Sequence, residues 1–218
     1  MEIKDLKINF LGDSITEGAG ASTPQKNYVN RVAKRTGAIC RNYGIGGTRI
    51  AKQQKPSAEA IYDRDFCSRV DEMDSDADVV VIFGGTNDYG HGDAPLGNMN
   101  DRTNDTFYGA LHELYNKIIT KYPESFIVVL TPLHRLHEDN LKGDGSKPQD
   151  VADLRAYVNI IREVAEYYSL PVLDLFANSG ISPNHPLINI KYFADGLHPN
   201  DEGHSVLANK IISFLKNN

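Results

Sequence analysis

Short unbroken apolar runs alternate along the chain with longer stretches in which apolar residues recur every three or four positions. The runs occupy residues 6–11, 38–43, 78–83, 126–130 and 171–175. The third contains Val79-Val80-Val81-Ile82-Phe83 without a polar break. Continuous β-branched runs, rather than strict alternation, predict strands covered on both faces.

The intervening stretches predict amphipathic helices. Thr23 can cap one that has Pro24 at its first position, Tyr28, Val29 and Val32 inside, and Gly37 at its end. Ser57 is expected to open a second, with Tyr62, Phe66, Val70 and Met73 in register. Phe107, Leu111, Leu114, Ile118 and Tyr122 mark a third, and Leu154, Val158, Ile161 and Ala165 a fourth. Asn200 opens the last, with Val206, Leu207, Ile211 and Phe214 facing inward. Alternating β and α elements predict an α/β fold: right-handed crossovers and a parallel sheet with helices on both faces. No repeat or linker interrupts the pattern, so the whole of residues 1–218 is expected to form one domain. The polar stretches 89–105 and 134–149 are expected to be long loops at the carboxyl edge, where such sheets bind ligands.

Composition narrows the class. The 218 residues are 40% hydrophobic and 24% charged, which excludes disorder, collagen and a membrane bundle. With 23 basic and 29 acidic residues, net charge −6 and no basic cluster, nucleic acid is not an expected partner. No apolar stretch nears the roughly 18 residues that a transmembrane helix needs. The acidic start Met1-Glu2-Ile3-Lys4-Asp5 is unlike a signal peptide, so membrane insertion is not expected and the expected address is the cytoplasm. Cys40 and Cys67 are expected to be reduced, buried thiols.

Candidate chemistry sits in the loops after the strands. Gly12-Asp13-Ser14-Ile15-Thr16 puts a serine just beyond the first strand, as a ligand-facing hydroxyl or a helix cap. Asn42-Tyr43-Gly44-Ile45-Gly46-Gly47-Thr48 follows the second. Its glycines lack the G-x-G-x-x-G spacing of a dinucleotide loop and suit a tight turn or ligand-facing amides. Gly84-Gly85-Thr86-Asn87-Asp88 follows the third, with an asparagine able to donate to an oxyanion or to close an Asx turn. Asp195-Gly196-Leu197-His198-Pro199 precedes the last helix, and its spacing either lets the carboxylate orient the imidazole or leaves a surface histidine beside a helix start. Together these supply a nucleophile, a base with its orienter, and oxyanion donors, the set that acyl transfer requires.

Four such blocks in this order resemble the SGNH hydrolases, the GDSL-like esterase and lipase family. The resemblance runs from Gly12 to the terminal helix, with Ile15 standing where the family's name motif has leucine. It implies a flavodoxin-like three-layer α/β/α sandwich with a five-stranded parallel sheet, in agreement with the apolar pattern. It implies Ser14 as nucleophile, His198 as general base, Asp195 as its orienter, and an oxyanion hole made by the Ser14 and Gly47 amides with the Asn87 side chain. It implies no cofactor.

His134, Arg135 and His137 follow the fourth strand and are expected to line the substrate mouth. They lack the further ligands of a metal site, and no metal is expected. His91, His112, His185 and His204 read as surface or helix residues. The segment 183–193 is expected to pack over the site and position Asp195 and His198, with a homo-oligomer interface as its alternative. The expected substrate is a small-molecule ester, a short acyl group such as acetyl on a polar alcohol such as a carbohydrate. Thioesterase and lysophospholipase activities compete within the family. Outside it stand a non-catalytic carbohydrate-binding module and a flavodoxin-like nucleotide binder using residues 12–16, which Asp13 and the lack of a nearby lysine disfavour.

Overall fold

A computed structural model describes all 218 residues. Five parallel strands, β1 (Lys7–Gly12), β2 (Ile39–Gly44), β3 (Val79–Phe83), β4 (Phe126–Leu130) and β5 (Val172–Leu173), form one sheet in the order β2-β1-β3-β4-β5. The expected parallel sheet and α/β fold are therefore present. β3 is buried along its whole length, as its unbroken apolar run requires. Asp174 ends β5 early by capping the next short helix, α7 (Leu175–Asn178), accepting a hydrogen bond from the Ala177 amide at 3.2 Å.

Each face of the sheet carries its own core. On one side Val80, Ile82, Ile127 and Val129 pack against α5 (Phe107–Lys121) and α6 (Leu154–Tyr167). On the other Ile8, Phe10, Val79, Val81 and Val128 pack against α2 (Tyr28–Thr36) and α9 (Asp201–Asn217). The alternation of side chains along each strand divides the two cores. No helix is long and apolar enough to cross a membrane.

Three local expectations change. Thr23 caps nothing; Pro24–Lys26 form a single 3₁₀ turn, and Asn27 caps α2 by accepting the Asn30 amide at 2.9 Å. The helix expected from Ser57 is broken into a 3₁₀ turn (Ala60–Asp63), α3 (Phe66–Arg69) and a second 3₁₀ turn (Val70–Glu72). Two carboxylates cause the break. Asp63 takes the Ser57 amide and hydroxyl, and Asp65 starts a new helix by accepting the Ser68 amide. Tyr62 is thereby turned outward, 40% exposed, instead of packing inside. Finally, the segment expected to cover the site contains a helix, α8 (Pro186–Tyr192), with Leu187 and Ile190 exposed. It holds the loop that carries Asp195 and His198: the Tyr192 and Lys191 carbonyls accept the Asn200 amide and side chain, and Phe193 bridges to Pro199.

Candidate active site

Ser14 opens the short helix α1 (Ser14–Glu17) directly after β1. The capping task falls to Asp13, whose Oδ1 accepts the Ile15 amide at 3.0 Å, so the serine hydroxyl is free to face outward. Burial pushes the Asp13 carboxyl up to about 6, against the opposing pull of the Ile15 amide, His198 and Arg69. α1 lies so close to β2 that a Cβ on Gly44 would fall 2.1 Å from the Glu17 nitrogen, which explains a glycine at the end of that strand.

Ser14 Oγ is 2.9 Å from His198 Nε2, and His198 Nδ1 is 2.7 Å from Asp195 Oδ2. A carboxylate only accepts, so Nδ1 carries the ring hydrogen and Nε2 is left to receive the serine proton. Asp195 Oδ1 also accepts the His198 and Leu197 amides, at 2.7 and 2.9 Å. Burial pushes this carboxyl up, but the bonds from the His198 ring and the two amides outweigh it and hold it below the ordinary value.

Gly47 adopts φ +72°, a conformation that L side chains rarely take, and its amide bonds to no group within the protein. The chain is pinned on both sides of this amide. Glu17 Oε2 accepts the Gly46 amide at 3.0 Å. The Gly47 carbonyl accepts from His91 Nε2 and Arg49 Nη1, both at 3.2 Å. Asn87 lies on α4 (Thr86–Gly90), 4% exposed, and gives one amide hydrogen to the Thr48 carbonyl at 2.9 Å. A primary amide has two hydrogens, so one remains for a ligand beside Gly47. This is a helix position, not the Asx turn that Asn87 could also have formed.

An open cleft of about 670 Å³ exposes Ser14, Gly47, Asn87 and His198 together, within the usual range for small-molecule sites. Asp195 stands behind His198. Arg135 lines the cleft as expected; His134 and His137 do not. His134 turns away to Glu138 at 2.8 Å and lies against the Phe176 ring. His137 is exposed on a left-handed turn, φ 59°, where its carbonyl accepts from Tyr89. His91, expected as a surface or helix residue, is partly exposed at the end of α4 and also lines the cleft, with Asp144 at 3.4 Å from Nδ1.

Other contributors were invisible in the motifs. Arg69 is 3% exposed and ties the carbonyls of Tyr43 and Gly12 to the Thr48 hydroxyl, locking the ends of β1 and β2 to the glycine loop. Burial lowers its guanidinium to about 10, against the attraction of Asp13. Asp88, also buried, accepts the Ile50 and Ala51 amides at 2.9 Å each. A charged residue inside an apolar register, as Arg69 is between Phe66 and Val70, was the one available signal.

The sequence signature of the GDSL-like Lipase/Acylhydrolase family matches residues 10–206. The chain belongs to the GDSL-like lipase/acylhydrolase family. A solved protein from Lactobacillus plantarum is 30% identical, with TM-score 0.84 over 99% of this chain and 98% of its own. A lipase/acylhydrolase from Enterococcus faecalis is 24% identical, with TM-score 0.65 over 97% of this chain and 96% of its own. A two-domain esterase active on acetylated mannans is 22% identical, with TM-score 0.61; it matches 99% of this chain over 50% of its own. No protein of curated function matches the sequence. Membership in the GDSL-like family carries hydrolase chemistry with it, and the four sequence blocks fall together at the carboxyl end of the sheet.

Proposed function

We propose that the protein is a serine ester hydrolase that removes short acyl groups, acetyl foremost, from a polar alcohol such as a carbohydrate. Ser14 Oγ attacks the ester carbonyl carbon as His198 Nε2 takes its proton. Asp195 holds the ring and stabilises the imidazolium. The Ser14 and Gly47 amides and the free Asn87 amide hydrogen receive the oxygen as it becomes negative. His198 then protonates the departing alcohol, leaving an acyl-Ser14 ester. Water, deprotonated by His198, releases the acid by the reverse sequence.

The observation that carries the reading is the continuous relay from Ser14 through His198 to Asp195, beside the unspent Gly47 amide. The cleft lining supports the substrate class. Glu17, Glu59, Asp144, His91 and Arg135 offer acceptors and donors to hydroxyl groups. Tyr62 adds an aromatic surface packed against Gly47, 3.2 Å from where its Cβ would be. Sugars present both hydroxyl edges and apolar ring faces, which such a mixture suits. The solved relative active on acetylated mannans acts on this kind of ester.

The test is acetate release from acetylated mono- and oligosaccharides, measured beside Ser14→Ala. Release that disappears in the variant supports the reading. Turnover of long-chain thioesters or lysophospholipids with no activity on any sugar acetate overturns its substrate class.

A further inference from the structure

Two clefts meet at His91. Beside the cleft that exposes Ser14, a second open cleft of about 550 Å³ runs between residues 54–55, 91–96 and 147–151, and His91 lines both. Its walls are held in place by hydrogen bonds. The Asp93 carboxylate accepts the Gln54 and Lys55 amides at 2.8 Å each, which joins the first wall to the second. The Lys147 ammonium binds the Asp88 carbonyl and the Tyr157 hydroxyl, which fixes the third. A cleft whose walls are tied in this way needs little rearrangement to accept a ligand.

Its chemistry is mixed and balanced. Ala94, Leu96 and Val151 supply apolar surface, the first two packed on the core beneath. Gln54, Lys55 and Gln149 are exposed above it. The charged lining residues are Lys55, Lys147, Asp93 and Asp150, two of each sign, so no ion is favoured. An alkyl chain here would strip water from amides without replacing its hydrogen bonds. A sugar ring presents an apolar face to such a floor and hydroxyls to such a rim.

We propose that this second cleft is a binding subsite, continuous with the catalytic cleft through His91, that takes a neighbouring unit of a saccharide chain whose acetylated unit sits at Ser14. The proposal rests on the carbohydrate reading above and adds to it that the preferred substrate is an oligomer rather than a single sugar.

The experiment uses deacetylated xylo- and manno-oligosaccharides of one to five units as competitive inhibitors of p-nitrophenyl acetate hydrolysis. Acetylated mono- and oligosaccharides are assayed in parallel as substrates. The variant is the double substitution Gln54→Ala with Gln149→Ala, two exposed residues outside the catalytic cleft. In the wild type, inhibition should tighten by about tenfold or more from one unit to three, the scale of a few added hydrogen bonds. The variant should lose about fivefold or more of that gain, keep its response to a single sugar, and hydrolyse p-nitrophenyl acetate at the wild-type kcat/KM. Hydrolysis of single-sugar acetates with no dependence on chain length overturns the subsite and leaves the carbohydrate reading standing. A variant that weakens single and longer sugars alike also overturns it. Absence of activity on every sugar acetate, with p-nitrophenyl acetate still turned over, removes the carbohydrate reading and the subsite with it.

Discussion

The Lys147 ammonium donates to the main-chain carbonyl of Asp88 at 2.9 Å, one residue beyond Asn87. The bond fastens the long loop after β4 to the short helix that carries the proposed oxyanion donor. Nζ also donates to the Tyr157 hydroxyl at 2.8 Å, and Asp88 in turn holds the amides of Ile50 and Ala51. Asn87 is thus fixed through its neighbour from both sides.

Lys147→Met should therefore lower kcat by about tenfold with little change in KM, because a slightly misplaced donor fails in the transition state more than in the ground state. It should also alter the dependence of stability on pH. An ordinary lysine loses its proton near ~10.4, and burial lowers Lys147 to about 8. Between these values the unfolded chain holds a proton that the folded chain lacks. Stability from this group therefore rises with pH through that window, by at most about 1.4 kcal/mol per pH unit. The stability of the wild type relative to Lys147→Met, from urea unfolding at pH 7 to 10, should increase with pH. A constant difference would show that Lys147 does not titrate there.

Asn87→Ala should lower kcat by about 10²–10³-fold, or roughly 3–4 kcal/mol, and leave KM almost unchanged. The proposed role is to donate to an oxygen that carries full negative charge only in the tetrahedral state. The loss should exceed that of Lys147→Met, which acts through Asp88. Steady-state kinetics on p-nitrophenyl acetate checks both; a pure KM effect would mean that Asn87 binds the ground-state ester and the hole must be drawn without it.

Ser14→Ala should abolish turnover, by about 10³-fold or more, and should stop labelling by a fluorophosphonate. Folding should be nearly unaffected, because Asp13 and not Ser14 caps α1. Equal thermal unfolding of the two proteins separates loss of chemistry from loss of structure.

His198→Ala should cost more activity than Asp195→Asn, because an asparagine oxygen can still accept from Nδ1. Asp195 also has a stability consequence with a definite sign. Its carboxyl is held below the usual range, so its contribution is complete above the ordinary Asp value of about 3.9 and is lost as pH falls through the lower folded value. The stability advantage of the wild type over Asp195→Asn should shrink below about pH 4. Denaturant midpoints measured from pH 3 to 7 give the comparison.

The sheet and the candidate site were legible in the sequence for different physical reasons. β3 was readable because a strand buried on both faces must be apolar throughout, as Val79–Phe83 is. Ser14, Asn87, Asp195 and His198 were readable because each sits in a short local block after a strand or before a helix. What stayed hidden depends on partners distant in sequence. Arg69 meets Gly12, Tyr43 and Thr48; Lys147 meets Asp88; His91 meets Gly47 and Asp144. No local period reports such contacts. The helix expected from Ser57 failed for a local reason that hydrophobic register does not weigh: Asp63 and Asp65 bind nearby amides more readily than they extend a helix. The same competition turned Tyr62 out to the cleft. His134 failed as a lining residue because Glu138, four positions on, captures its ring.

The cleft lining also sets an expectation for acyl length. Each methylene buried in an apolar pocket contributes about 0.8 kcal/mol, so an enzyme with a long apolar groove gains steadily as the acyl chain grows. Here the surfaces around Ser14 include Glu17, Glu59, Asp144, His91 and Arg135, with apolar contributions limited to Ala19, Ile45, Ile61, Tyr62 and Leu197. A chain beyond a few carbons would lie against carboxylates and a guanidinium that prefer water, and the gain per methylene should cease. The kcat/KM profile for p-nitrophenyl esters from acetate to palmitate should therefore peak between acetate and butyrate and fall beyond. Replacing a cleft charge by an apolar group, as in Arg135→Leu, should shift the peak toward longer chains by removing one polar wall. An optimum at octanoate or beyond in the wild type would mean that the acyl chain leaves the cleft by an apolar path around these charges, and the short-acyl assignment would fall.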